Sequence, residues 1–322
     1  MQQLAIIGAG NIGSRHLQGL ARLKFPATIW VVDPSAEALK LAEERFKEIE
    51  SADKTTHFIS SIQDIKETNI DLAIIATDSG HRLAALTELT GHCQVKYLIL
   101  EKVLFPALED YPLAEKIIRE HNIKAWVNCP RRLNKYYQEL KNKLGSHLKI
   151  SVTGNDWGLG SNALHFIDLF AFLTDAKQIN LSEAIFAAIP AKRAGYQEFF
   201  GTIRGEDEHH NLLDITCFEA QPLIVTVAVY SDTAYYIIDE GKPSSVRYKS
   251  ADTNWQWQEE SFNIDYQNVL TTVAVQEILE TGQSVLPSFA QSAVLHVTYL
   301  NMMLAYLKKN STDKNIKQCP IT

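Results

Sequence analysis

"LAIIGAGNIG" (residues 4–13) decides the fold. A short apolar run enters a turn whose glycines, Gly8, Gly10 and Gly13, are spaced G-x-G-x-x-G, with Asn11 and Ile12 between the last two. In a strand–turn–helix unit each glycine has its own task. Gly8 allows the tight turn, Gly10 lets backbone approach a pyrophosphate, and Gly13 lets the helix pack on the sheet with its amides facing the phosphates. Twenty residues further on, "TIWVVD" (28–33) ends in Asp33. A carboxylate at the end of the second strand accepts hydrogen bonds from adenosine ribose hydroxyls and repels a 2′-phosphate. The expected cofactor is therefore NAD rather than NADP.

The pattern continues outward from this turn. "HFIS" (57–60), "DLAIIAT" (71–77), "KYLILE" (96–101) and "KAWVN" (124–128) are near-continuous apolar runs, as strands buried on both faces are. Helix-like stretches lie between them, among them "SAEALKLAEERFKEIE" (35–50) and "LEDYPLAEKIIREH" (108–121). Such alternation predicts an α/β fold with an N-terminal doubly wound Rossmann domain over residues 1–128. Ligands bind at the carboxyl ends of strands in this architecture. Two segments fall there, "ATDSGH" (76–81) and "LEKV" (100–103), so Thr77, His81 and Glu101 join the candidate cofactor contacts. Lys102 is expected at the nicotinamide end.

After "VNCPRR" (127–132) the alternation stops. Residues 129–322 carry β-rich runs such as "LKISVTG" (148–154), "EFFGTI" (198–203), "LIVTVAVY" (223–230) and "AYYIIDE" (234–240), separated by "RGED", "AQP" and "EGKP". Consecutive strands with short turns predict an α+β domain whose sheet is largely antiparallel and open-faced. Two helix-like stretches, 267–281 and 287–309, close the chain. An apolar open face predicts a homodimer or homotetramer formed through the C-terminal sheet.

A formal charge of −7 and the lack of a Lys/Arg cluster argue against a nucleic-acid partner. No apolar run reaches the roughly 20 residues that span a bilayer, so no membrane partner is expected. Four scattered cysteines without metal-ligand spacing suit free thiols in the cytoplasm, and no metal site is predicted. "GEDEHH" (205–210) reads as a solvated hairpin turn rather than a ligand set.

"GSNALHFIDLF" (160–170) is the second candidate site. At about 100° per residue, Ala163, Phe166, Ile167, Phe170 and Leu173 form an apolar face, while Ser161, Asn162, His165 and Asp168 fall on another. The polar stripe reads as a substrate wall. Ser161 and Asn162 also suit a helix N-cap. Trp157, in "GNDWGLG" (154–160), could stack on a sugar face or anchor its loop.

Together these features resemble the glucose–fructose oxidoreductase/inositol dehydrogenase (Gfo/Idh/MocA) family. "GAGNIGSRH" is similar to its glycine loop with trailing histidine, "EKV" stands where the family usually has Glu-Lys-Pro, and "VNCPRR", "HFIDLFAFLTD" (165–175) and "ETGQSVLPSFAQSAVLH" (280–296) resemble its later segments. The resemblance implies hydride transfer at an alcohol or keto carbon of a sugar, cyclitol or sugar derivative. Lys102 and His165 match its active-site lysine and histidine, and Arg132 its junction arginine. Arg132, Trp157, Ser161 and Asn162 are then expected around the substrate with Lys102 and His165. Val103 replaces the family's proline. The family often carries an aspartate four residues before the histidine, and here that position is Ser161. Two alternatives stand beside the enzyme: an NADPH-dependent reductase of another carbonyl or imine, and a catalytically silent NAD-binding sensor.

Overall fold

Strand and helix alternate through the first part of the chain as the apolar runs require. In a computed structural model, which describes residues 1–49, 53–241 and 243–322, the chain divides into two units. The first comprises Met1–Phe105, Glu109–Leu133 and Asp265–Ser292; the second comprises Pro106–Leu108, Asn134–Ile264 and Ala293–Thr322.

The first unit contains β1 (Gln2–Ile7), α1 (Asn11–Ala21), β2 (Ala27–Val32), α2 (Ala36–Lys47), β3 (Lys54–Ile59), β4 (Asn69–Ile75), α3 (Ser79–His92), β5 (Gln94–Leu100), α4 (Asp110–Glu120) and β6 (Lys124–Val127). Glu50, the last residue of the helix-like stretch 35–50, lies outside the described residues. The six strands form one parallel sheet in the order β3-β2-β1-β4-β5-β6. This is the doubly wound order, and it reverses between β1 and β4, where the crevice of such sheets opens. β1, β2 and the ends of β4 and β5 are almost wholly buried, which explains their unbroken Val/Ile/Leu/Ala sequences.

The second unit holds α5 (Lys135–Lys141), β7 (Lys149–Asn155), α6 (Leu159–Thr174), β8 (Ile179–Pro190), β9 (Gln197–Asp207), β10 (Leu212–Phe218), β11 (Leu223–Tyr230), β12 (Ala234–Asp239), β13 (Ser244–Ser250) and β14 (Gln258–Phe262). Its eight strands run β14-β13-β12-β11-β7-β10-β9-β8, antiparallel throughout except for the β7–β10 pair. The alternation is clean: Leu213, Ile215 and Cys217 of β10 are buried, while Leu212 and Phe218 are exposed. α6 packs on this sheet against β9 and β10. Phe186, Leu223 and Tyr230 are exposed along other strands. The "EGKP" turn includes Lys242, which lies outside the described residues. "GEDEHH" joins β9 to β10, with the Asp207 carboxylate accepting from the His209 and Asn211 backbone amides.

Two C-terminal helices follow, α7 (Gln267–Thr281) and α8 (Phe289–Asn310). The sequence leaves α7 with the second half of the chain; in the structure it packs in the first unit. Leu270, Ala274 and Ile278 share a core with Leu17 and Leu20 of α1. The contact is close because Gly19 has no side chain. A Cβ there would stand 2.6 Å from the Asn268 carbonyl oxygen and 2.7 Å from Thr271 Cβ. The Thr272 hydroxyl donates to the Gly19 carbonyl at 2.9 Å.

Gly19→Ala is therefore expected to lower the unfolding free energy by about 1–3 kcal/mol through overpacking. Gly91→Ala on α3, where a Cβ meets nothing within 4 Å, is expected to raise it by about 0.4–1 kcal/mol. Urea denaturation of the two variants checks both signs.

Candidate functional site

The turn after β1 is built for a backbone approach. Gly8 has φ +95°, and a Cβ on it would lie 2.8 Å from the Thr77 amide nitrogen. A Cβ on Gly13 would fall 1.8 Å from the Gly8 carbonyl oxygen, so α1 starts directly against the turn. At Gly10 a Cβ would meet nothing within 4 Å, which leaves open space where a pyrophosphate would come closest. Gly10 is also the N-cap of α1, and no side chain caps the helix. The first amides of a helix have no acceptor within it, and with the helix dipole they form an anion cradle.

Asp33 braces this loop. Its Oδ2 accepts from the Ala9 amide at 2.7 Å and its Oδ1 from the Ser35 amide at 2.8 Å. Each carboxylate oxygen has a further lone pair for a ribose hydroxyl. Asn11 and Ile12 are exposed, and Arg45 of α2 donates to the Asn11 carbonyl at 3.1 Å and the Ser14 hydroxyl at 2.6 Å. Thr77 lies at the end of β4, and its hydroxyl oxygen is buried with no hydrogen-bond partner among the described residues. An orphaned buried hydroxyl costs about 1–3 kcal/mol, so a ligand that satisfies it gains accordingly. An uncapped helix start, open space at Gly10 and an unsatisfied Thr77 fit a dinucleotide. His81 is placed differently. Its side chain is 80% exposed and its Nδ1 lies 2.7 Å from Asp78, the residue that caps α3.

Glu101 is buried beneath the loop. Its Oε1 lies 2.8 Å from His16 Nε2 and also accepts from the Asn128 amide. His16 Nδ1 lies 2.8 Å from the Thr271 hydroxyl, which itself donates to the Gln267 carbonyl. Both ring nitrogens of His16 thus have a hydrogen-bond partner. Burial alone raises the Glu101 pKa. The His16 hydrogen bond and the charges of His16, Lys102 and Arg82 outweigh it and hold the carboxyl below its ordinary range. Lys102 follows, half-buried, and the Lys102–Val103 peptide bond is cis.

Arg82, which motif reading passes over, holds the two strand ends together. Fully buried on α3, it donates to the carbonyls of Val103, Leu104 (2.9 Å) and Thr77. Its one signal in the sequence is a charge inside the apolar run "HRLAAL". Arg132 is 9% exposed, on a 3-10 turn at Pro130–Leu133.

In the second unit the candidate residues gather at the start of α6. The helix opens at Leu159 with Gly158, φ +79°, as its cap, so Ser161 and Asn162 lie in the first turn rather than at the N-cap. Glu198 of β9 is the residue that the motifs did not reveal. Its Oε2 accepts from the Gly160 amide at 2.8 Å and the Ser161 amide at 3.4 Å, and its Oε1 accepts from the Ser161 hydroxyl. Asn162 Nδ2 donates to the Trp157 carbonyl at 2.8 Å. The indole of Trp157 donates to the Thr216 carbonyl at 3.2 Å and meets Phe166 edge-on at 5.5 Å, which anchors its loop. His165, one turn beyond Ser161, is half-buried; Asp168 is 2% exposed, so the polar stripe ends at the histidine.

Removing His16 would take from buried Glu101 its direct ring hydrogen bond, and His16→Ala is expected to cost about 3–5 kcal/mol. Because the folded Glu101 pKa lies below its ordinary 4.5, its contribution to stability is present above that value. The contribution is lost as pH falls through the folded pKa. In Glu101→Gln this acid-limb loss should be absent, as urea midpoints measured against pH would show.

Residues 3–129 match the family model described as "Oxidoreductase family, NAD-binding Rossmann fold" (GFO_IDH_MocA). No curated protein matches the chain. Among solved structures, levoglucosan dehydrogenase in complex with NADH superposes with TM-score 0.74 at 14% identity, covering 96% of this chain and 98% of that one. UDP-N-acetylglucosamine 3-dehydrogenase GnnA from Acidithiobacillus ferrooxidans gives 0.70 at 13% identity, covering 94% and 97%. The transcriptional regulator Gal80p from Kluyveromyces lactis gives 0.72 at 12% identity, covering 98% and 95%. Residues 3–129 are thus similar to the NAD-binding Rossmann fold of that oxidoreductase family, and the chain as a whole has the fold of these neighbours.

Proposed function

We propose that the protein is an NAD-dependent oxidoreductase acting on an alcohol or keto carbon of a sugar, cyclitol or sugar derivative. The observation that carries this reading is the loop after β1: an uncapped helix start, open at Gly10 and braced by Asp33, at the switch point of a parallel sheet. Its match to an oxidoreductase family supports the chemistry, and the two dehydrogenase neighbours support the substrate class. NAD is preferred over NADP because Asp33 puts a negative charge where a 2′-phosphate would lie.

NAD, when bound, accepts or returns the hydride. As the carbinol carbon is oxidised, its hydroxyl proton must pass to a positioned base, the role assigned to neutral His165. Lys102 stabilises the charge that develops on the oxygen and shares the proton transfer. Glu101, held by His16 and Asn128, fixes the backbone immediately before Lys102. A homodimer or homotetramer formed through the second unit's sheet would cover Phe186, Phe218, Leu223 and Tyr230. A second reading, a silent NAD-binding regulator, is favoured by Ser161 in place of the family's acid and by the likeness to Gal80p.

A panel of sugars, cyclitols and their keto forms, followed by nicotinamide absorbance with NAD and NADH, separates the two. The enzyme reading expects turnover of at least one member and a loss of about 10²–10⁴-fold in Lys102→Ala. Turnover that survives this substitution would overturn the mechanism. Cofactor binding with no turnover across the panel would favour the regulator. Light scattering at micromolar concentration should give a dimer or tetramer mass, and a monomer mass would remove the oligomer.

A further inference from the structure

A cleft of about 550 Å³ lies in the second unit, between the loop after α5, the start of β12, the end of β13 and the 3-10 turn Ala251–Thr253. None of its lining residues belongs to α6. Its size is that of a small-molecule site, about 300–1,000 Å³.

The floor is aromatic. Tyr236 and Tyr248 are cross-strand neighbours on β12 and β13, and their rings stack at 5.6 Å with 19° between the planes. The Tyr248 hydroxyl donates to Glu260 Oε1 at 2.8 Å, so this residue offers the cleft its ring rather than its proton. Tyr136 of α5 stacks on Phe262 of β14 at 4.2 Å, and its hydroxyl oxygen is buried with no hydrogen-bond partner among the described residues. Burial first, and then the charges of Tyr236, Glu260 and Tyr248, raise the Tyr136 pKa, which places this unsatisfied phenol beside the tyrosine pair.

The walls are polar and preformed. A Cβ on Gly145 would stand 2.0 Å from Asp232 Oδ1 and 2.9 Å from Thr233 Oγ1, and Asp232 Oδ2 accepts from the Ser146 hydroxyl at 2.8 Å. The loop after α5 is thereby pinned against the turn between β11 and β12. The Thr253 hydroxyl accepts from the Ser250 amide and donates to the Ser250 carbonyl, both at 3.0 Å, which fixes the turn that carries Asp252. After burial, the Asp252 charge is the largest influence raising the Tyr236 pKa, so its carboxylate stands near the floor. Lys143 is the cation of the lining, and neither it nor Asp252 forms an ion pair among the described residues.

A cationic ligand would meet Lys143 in this cleft, and an anionic one Asp252. A neutral ring with hydroxyls suits both: it donates to the carboxylate, accepts from the ammonium and lays its apolar face on the tyrosines. We propose that the cleft binds a neutral saccharide or cyclitol ring, at a site that shares no residue with the one proposed above. It does not depend on the oxidoreductase reading.

The test titrates the whole chain, without cofactor, and follows binding by saturation-transfer NMR and calorimetry. Glucose, N-acetylglucosamine and myo-inositol are the neutral probes; choline and phenylalanine are the charged ones. At least one neutral probe should bind, and Tyr248→Ala and Asp252→Ala should each raise its Kd tenfold or more. Tyr248→Phe, which keeps the ring, and Lys102→Ala, in the other unit, should both keep the wild-type Kd. Should Tyr248→Ala fail to fold, Asp252→Ala, a change at an exposed residue, decides the same question. Binding of no neutral probe would overturn the proposal, as would binding that Asp252→Ala leaves untouched or that Lys102→Ala abolishes. Choline or phenylalanine binding more tightly than every neutral probe, and lost in the same variants, would overturn the ligand class.

Discussion

The buried pair of His16 and Glu101 is the interaction on which the first unit's site depends. It joins α1, opened by the glycine turn, to the end of β5, from which Lys102 follows. Through Thr271 and Asn128 it also takes in α7 and the residue after β6. A charged pair inside a protein loses hydration that its mutual attraction does not always recover, so such a pair is weak evidence for stability as such. Its satisfied geometry gives a defined arrangement instead. Each polar atom of His16 has its partner, so helix and strand cannot slide past each other without stranding a charge.

Arg82 does similar work on the other side of Lys102. It donates to carbonyls on both strand ends, beyond β4 and beyond β5, and thereby fixes the spacing between Thr77 and the segment after Lys102. Proline usually follows the lysine in the resembling family, and in this chain Val103 occupies that place. The guanidinium supplies from outside the segment the hold that a proline ring would supply from within it.

The doubly wound sheet of the first unit was legible because burial on both faces leaves strands no choice but apolar residues. "LAIIG", "DLAIIAT" and "KYLILE" state that constraint directly. The edges were not legible, for the complementary reason. β13, "SSVRYKS", and β14, "QEESF", lie at the outer margin of the second sheet, where polar side chains are tolerated and period-two alternation fades. The membership of α7 was hidden because an apolar helix face says that something covers it, never what. Of the candidate sites, the glycine loop and Asp33 announced themselves through short-range spacing. Glu198 had no such signal: in "QEFFGTI" it is one polar residue of an alternating strand, and its meaning arises only when β9 comes to lie beside α6.

That contrast bears on how the acid at position 161 should be understood. An aspartate on the helix would be both a negative charge and an acceptor at its own N-terminus, where the dipole favours it. Ser161 with Glu198 divides those properties. Glu198 supplies the charge and satisfies the helix amides, while Ser161 presents a neutral oxygen whose proton is already directed away. A neutral, oriented acceptor cannot take a proton near neutral pH, so the base proposed in this unit remains His165. Substitution of a catalytic-looking acid by serine is therefore not by itself a mark of lost chemistry. What it changes depends on whether the fold returns a carboxylate to the same place, and here β9 does.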